Sequence, residues 1–123
     1  MSALARYLAL KSFKVYGSDR SFDSMSKTNL VLELEKIGCE IFNQNGLHIP
    51  ADTTHGVLST AIEDSNPDLS VLIKNQIPVL HRADLLSHIT NKMKSITVAG
   101  TSGKSTTAAI TGYLIKKAGC GIN

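Results

Sequence analysis

Residues 100 to 106 read Gly100-Thr101-Ser102-Gly103-Lys104-Ser105-Thr106, between the apolar run "ITVA" and the helical pattern "KSTTAAITGYLIKKAG". Two glycines in such a turn let backbone N–H groups approach an anion without a Cβ in the way, and the start of a helix adds positive potential. A lysine directly after the second glycine reaches the β- and γ-phosphates of a nucleotide, and the next hydroxyl serves Mg²⁺. The run therefore reads as a cradle for ATP and Mg, with Lys104 and Ser105 as the residues that act on the phosphates and Ser105 as the metal contact. The full triphosphate-loop pattern has a further glycine at the place of Val98, so this is a compact form. Gly-Thr-Ser-Gly is also ordinary turn chemistry, and Ser105 or Thr106 would make a plain N-cap. The order strand, turn, helix favours the phosphate reading.

The rest of the chain alternates helix and strand signals. Apolar positions at Leu4, Tyr7 and Leu8 predict a helix over 2–11, and "FKVYGSD" alternates as a strand over 13–19. A helix over 27–38 carries Leu30, Leu34 and Ile37 on one face and stops at Gly38. Short strands follow at "CEIF", "VLST" (57–60) and "IPVLHR", with helices at 66–75 and 82–93 between and after them, and "SITVAG" (95–100) forms the last strand. This βαβα order predicts an α/β fold, a Rossmann-like parallel sheet with flanking helices. Domain boundaries are expected at 1–94 and 95–123. In a dinucleotide-type half-fold an acid ends the second strand, about 20 residues past a glycine-rich turn. Asp19 holds that place here, so a central strand and its glycine turn are expected ahead of Met1. Unpaired edges left by such a missing strand lead to an expectation of oligomerisation.

Composition narrows the classes. The net charge of +3 comes from basic residues spread along the chain without a block or interleaved aromatics, which argues against nucleic acid as a partner. No apolar run approaches the roughly 20 residues of a membrane span, and the apolar start lacks the parts of a signal peptide, so a cytoplasmic protein with no membrane association is expected. Cys39 and Cys120 belong to no C-x-x-C pair, and the four histidines have no zinc spacing.

Taken in order, Met1 to Ala5, Gly17-Ser18-Asp19, Ser59-Thr60-Ala61-Ile62 with Asn66-Pro67-Asp68, Ile77-Pro78-Val79 with Arg82-Ala83-Asp84-Leu85, and Gly100 to Thr107 give the chain a pattern that resembles the Mur ligase family. These are ATP-dependent, amide-forming enzymes of peptidoglycan synthesis. The resemblance covers nearly the whole chain. It implies a UDP-sugar lobe at 1–94, followed by the first strand, P-loop and helix of a central ATP-binding domain, with ATP held by Gly100 to Thr106. It also implies UDP-N-acetylmuramate and L-alanine as small-molecule substrates, the sugar's lactyl carboxylate being phosphorylated by ATP and then attacked by the amino group. On this reading the 123 residues by themselves are expected to show no ligase turnover; a related peptide-joining ligase, or a non-catalytic nucleotide-binding fragment, stands as the alternative. Three features depart from the family: its GxGGxG turn is missing, Ser102 stands where this branch usually has histidine, and Thr60 replaces a second serine.

Resemblance also bears on the first-lobe residues. Ser18, Asp19 and Arg20 end a strand at the ligand crevice of an open parallel sheet, where an acid accepts hydrogen bonds from a nucleoside; capping the next turn is their plainer role. Ser59, Thr60 and Ala61 offer hydroxyls and amides to uridine or diphosphate, or form an ordinary strand-ending turn. His48 is similar to the histidine of a family Gly-His pair, with Leu47 intervening here, and a solvated loop histidine is the other reading. Arg82 and Asp84 read most simply as a helix start. A nicotinamide-binding module would account for Asp19, yet it gives Lys104 and Ser105 no role.

Overall fold

A computed structural model describes residues 1–20, 22 and 25–120. The chain forms two compact units, Met1–Ile89 and Thr90–Asn123. In the first, α1 (Ser2–Leu10) leads into β1 (Val15–Asp19), α2 (Asn29–Lys36) and β2 (Cys39–Asn43); then come β3 (Gly56–Leu58), α3 (Pro67–Lys74), β4 (Val79–His81) and α4 (Arg82–Thr90). The second unit holds α5 (Lys104–Lys117).

The strands form two parallel pairs. β1 lies beside β2 in a register that runs from Val15 opposite Cys39 to Asp19 opposite Asn43. β3 lies beside β4, Gly56 opposite Val79 and Leu58 opposite His81. Each pair is joined by a helix, because parallel neighbours need a crossover to bring the chain back to the same end. The expected single sheet is therefore corrected to two two-stranded sheets among the described residues. β1 and β3 are not neighbours, and no ladder joins them.

Local chemistry fixes the helix starts. Thr28, in extended backbone, accepts a hydrogen bond from Val31 N at 3.4 Å and opens α2. Asn66 opens α3: its Oδ1 accepts from Leu69 N at 3.0 Å, its carbonyl accepts from Ser70 N and Ser70 Oγ, and Pro67 fills the first helical position, where no N–H is needed. Asn66 is also a buried polar side chain, at 6% exposure, so its bonds are made away from water. Asn66→Ala is expected to cost about 1–2 kcal/mol, to be read from urea unfolding followed by circular dichroism. Gly38 ends α2 with φ 90°, as its sequence position predicts.

Among the described residues the buried apolar ones are Leu34, Cys39, Leu69 and Leu72. Leu34 brings the inner face of α2 toward β2, whereas Leu30, expected on that face, is 52% exposed. The reason is geometric: a helix of eight residues against a two-stranded sheet covers little more than one turn of its apolar stripe. At β3 the packing is tightest. A Cβ on Gly56 would lie 2.5 Å from Leu72 Cδ1, so α3 sits directly on a strand that only glycine lets it approach.

Burial also separates the two thiols. Cys39 is buried in β2, and its burial pushes the thiol pKa up, while Cys120 is exposed. In native buffer, a thiol reagent is expected to modify Cys120 promptly and Cys39 only on unfolding. Stoichiometry before and after adding denaturant, resolved by peptide mass mapping, checks this.

In the second unit residues 94–100 belong to no strand, so the expected strand "SITVAG" is corrected. A strand is stable through its ladder, and among the described residues from Thr90 onward there is none to pair with. No described helix is long and apolar enough to cross a membrane.

Candidate nucleotide and sugar sites

The turn at 100–106 is built around Gly103. This glycine adopts φ 73° and ψ −1° as the residue preceding α5, a left-handed conformation that costs a side-chain-bearing residue about 1 kcal/mol or more. The first backbone bond of α5 runs from Thr107 N to Gly103 O at 2.9 Å. No side chain caps the helix, so its leading amides remain directed at the turn. Residues 99–110 are all exposed. Lys104 Nζ donates to Gly100 O at 2.6 Å and to Thr101 O at 3.3 Å, which folds the ammonium back over the loop. Positive charge and uncommitted amides thus face the same turn, an arrangement suited to an anion with several oxygens.

Ser105 lies in the first turn of α5, where its hydroxyl is an oxygen donor of the kind Mg²⁺ accepts. Among the described residues no group of three or more His, Cys, Asp or Glu could hold a metal ion. A single hydroxyl of this kind is the sort of ligand a protein gives Mg²⁺ when phosphates and waters supply the others.

In the first unit a cavity of about 490 Å³ opens between the two strand pairs. Of the residues singled out from sequence, Ser18, His48 and Ser59 line it; Asp19, Arg20, Thr60 and Ala61 are exposed and do not. Ser18 is brought there by β1, and Ser59 by the turn after β3, where Ile62 N donates to Ser59 O at 3.1 Å. Arg20 instead approaches Glu63, with Nη2 3.7 Å from Oε1, an exposed pair that spans the turns following β1 and β3. The Asp19 carbonyl accepts from Phe22 N at 3.2 Å, so the acid closes β1 with a turn.

His48 is held by a ring contact that its sequence context does not announce. It stacks on Phe42 of β2, with centroids 5.5 Å apart and planes 23° from parallel. The loop that carries it is anchored at Gly46, whose N–H donates to Asp68 Oδ1 at 2.7 Å in the first turn of α3. Gly46 has φ 75°, and a Cβ there would meet the Pro67 carbonyl at 3.2 Å.

Sequence reasoning missed Phe42 and Asn43, which line the cavity at the carboxyl end of β2. The rule that picked out Asp19 applied equally to them, since ligands of open parallel sheets lie outside the carboxyl ends of the strands. It also missed a polar group at the cavity's opposite end. Lys14 Nζ donates to Asp52 Oδ2 at 2.8 Å and Tyr16 Oη to Asp52 Oδ1 at 3.4 Å. The bond from Lys14 holds the Asp52 carboxyl below its usual range and raises the Lys14 pKa in turn; desolvation pushes the Tyr16 phenol up. Lys14 is 76% exposed, so the pair adds little to stability.

A family model described as Mur ligase family, catalytic domain, matches residues 1–94. The chain belongs to the Mur ligase family. Among individual proteins it is similar to the "UDP-N-acetylmuramate--L-alanine ligase" of Carboxydothermus hydrogenoformans, 37% identical over 120 residues, which cover 97% of this chain and 25% of that protein. The protein of the same name from Synechococcus sp. (strain JA-3-3Ab) is 39% identical over 119 residues, covering 97% and 22%. That from Nitratidesulfovibrio vulgaris (strain DP4) is 36% identical over 119 residues, covering 97% and 25%. The chain spans about a quarter of the length of these relatives.

Proposed function

We propose that this chain carries the nucleotide-sugar lobe and the phosphate loop of an ATP-dependent ligase that joins L-alanine to the lactyl carboxylate of UDP-N-acetylmuramate. On this reading residues 1–94 form the UDP-sugar lobe and 95–123 begin the ATP-binding domain. The observation that carries it is the turn at 100–106, where a left-handed Gly103, uncapped helix amides and the Lys104 ammonium converge within a match that covers 97% of the chain.

The chemistry requires a carboxylate, a poor electrophile, to become an acyl phosphate before an amine attacks it. When bound, Mg²⁺ neutralises phosphate charge, and Ser105 is the residue that would hold it. Gly100 to Thr106 bind and orient the triphosphate through backbone N–H groups. The Lys104 ammonium exchanges its two carbonyl partners for phosphate oxygens and stabilises charge that develops on the transferred group. In the sugar lobe, Ser18 and Ser59 offer hydroxyls at the mouth of the cavity, and the Phe42–His48 pair offers a flat surface at its side. Asp19 and Arg20, exposed at the end of β1, stand where a nucleoside reaching over the strand ends would meet them.

Calorimetric titration of the 123-residue chain with MgATP, UDP-N-acetylmuramate and NAD tests the assignment. Saturable heats with the first two and none with NAD are expected. Binding of NAD in preference to both would transfer the chain to a different class.

A further inference from the structure

Asn45 is the asparagine of this sequence that is followed by glycine, and it stands in the loop after β2. An asparagine side-chain carbon and the next backbone nitrogen can close a five-membered ring, and that closure expels ammonia. A following side chain hinders the approach, whereas glycine has no Cβ to do so. Asn45 and Leu47 are exposed, so water reaches the dipeptide and ammonia can leave it.

The fold adds what the dipeptide lacks. Gly46 N–H donates to Asp68 Oδ1 at 2.7 Å, a charge-assisted bond to a carboxylate in the first turn of α3. The nitrogen that must lose a proton is therefore already held against a base, within the reach that proton transfer requires. Asn45 Oδ1, which gains charge when its carbon is attacked, accepts from Leu47 N at 3.0 Å. Gly46 is also fixed in place: its φ is 75°, and a Cβ there would lie 3.2 Å from the Pro67 carbonyl and 3.4 Å from Val71 Cγ2. Nucleophile, base and oxyanion donor thus meet at one loop, and holding them together lowers the entropic part of the barrier.

We propose that Asn45 is a site of self-modification, with Asp68 as the general base for closure of a succinimide onto Gly46 N. The Asp68 carboxylate takes the Gly46 N–H proton as the nitrogen bonds to Asn45 Cγ, and the carbonyl electron pair moves onto Oδ1. When that pair returns, the Cγ–Nδ2 bond breaks, and Nδ2 leaves as ammonia with the proton handed on by Asp68. Water then adds to either imide carbonyl, so that residue 45 becomes aspartate or isoaspartate. Nothing is oxidised or reduced, and water is the only co-reactant.

The product loses the tether. The imide has no Gly46 N–H to donate, and hydrolysis restores that group next to a second carboxylate near Asp68, while the iso form lengthens the main chain by one carbon. The loop released in this way carries His48, which stacks on Phe42.

Timed incubation of the intact chain in neutral buffer, followed by peptide mass mapping, tests this. Asp68→Asn keeps an oxygen that accepts from Gly46 N–H but removes the base, and circular dichroism checks that the variant is folded. A synthetic peptide, Phe-Asn-Gln-Asn-Gly-Leu-His, supplies an arm that requires no substitution. Conversion at residue 45 is expected to be faster in the folded chain than in the peptide, and slower in Asp68→Asn by about tenfold or more. A folded chain that converts no faster than the peptide would overturn the inference. So would a folded Asp68→Asn variant that converts at the wild-type rate.

Discussion

Replacing Lys104 with alanine is expected to weaken MgATP binding by about 10- to 100-fold. A hydrogen bond to a charged group is worth about 1.5–3 kcal/mol net, and each 1.4 kcal/mol is tenfold in affinity. Lys104 already sits at the site, its Nζ bonded to the carbonyls of Gly100 and Thr101. Phosphate oxygens therefore replace two neutral acceptors, and little ordering of the side chain remains to be done. The loss should fall on binding and not on folding, since the residue is exposed and the carbonyls it leaves are open to water. Titration calorimetry of wild type and variant, with thermal melts of both, separates the two effects. Lys104→Arg keeps the charge and should bind more tightly than the alanine variant, though its planar fork fits the turn less well. Equal affinity for MgATP in wild type and Lys104→Ala would detach the lysine from phosphate recognition.

Leu72→Ala carries the second large effect, on stability. Leu72 is one of four buried apolar residues among those described, 7% exposed, and its Cδ1 lies against the backbone of Gly56 in β3. Truncating a buried leucine to alanine costs about 2–5 kcal/mol, from lost transfer free energy and from the cavity left behind. With so small a core, that is a large fraction of the 5–15 kcal/mol typical of a folded domain. The midpoint of urea unfolding should fall accordingly, with the β3–β4 pair most exposed to hydrogen exchange. Gly56→Ala attacks the same contact from the other side. Its Cβ requires Leu72 Cδ1 to move, so a smaller loss, about 1–3 kcal/mol, is expected there.

The sequence was most informative where one residue type answers one local need. Asn66 followed by Pro67 marks the start of α3 because a side-chain acceptor and a missing N–H both suit a first turn. Gly38 marks the end of α2, and Gly103 the left-handed entry to α5, because positive φ selects glycine. These are interactions across three or four residues, and spacing reveals them. What spacing did not reveal is partnership. The run "SITVA" has the composition of a strand, yet the described second unit contains no neighbour to complete a ladder. The alternation of strands and helices implied one sheet, whereas among the described residues pairing joins β1 to β2 and β3 to β4.

The same division holds at the candidate sites. Ser18 and Ser59 were legible as cavity residues because the carboxyl ends of parallel strands are where ligands lie. Their neighbours Asp19 and Thr60 share the sequence motif but are exposed beside the cavity, since successive residues at a strand end do not all turn to the same side. His48 could be noticed but its stacking on Phe42 could not, and the Lys14–Asp52 bond joins residues 38 apart in the chain. Contacts of that kind depend on how β2 and the loop after it return toward β1, which no local pattern encodes.

Titration of the chain with MgATP, repeated with Mg²⁺ and AMP, tests the polyphosphate cradle most directly. Saturable binding that requires the β- and γ-phosphates, and that fails when Gly103 is replaced by valine, is the expected result. Absence of saturable binding by MgATP, or equal binding of AMP and ATP, would contradict it.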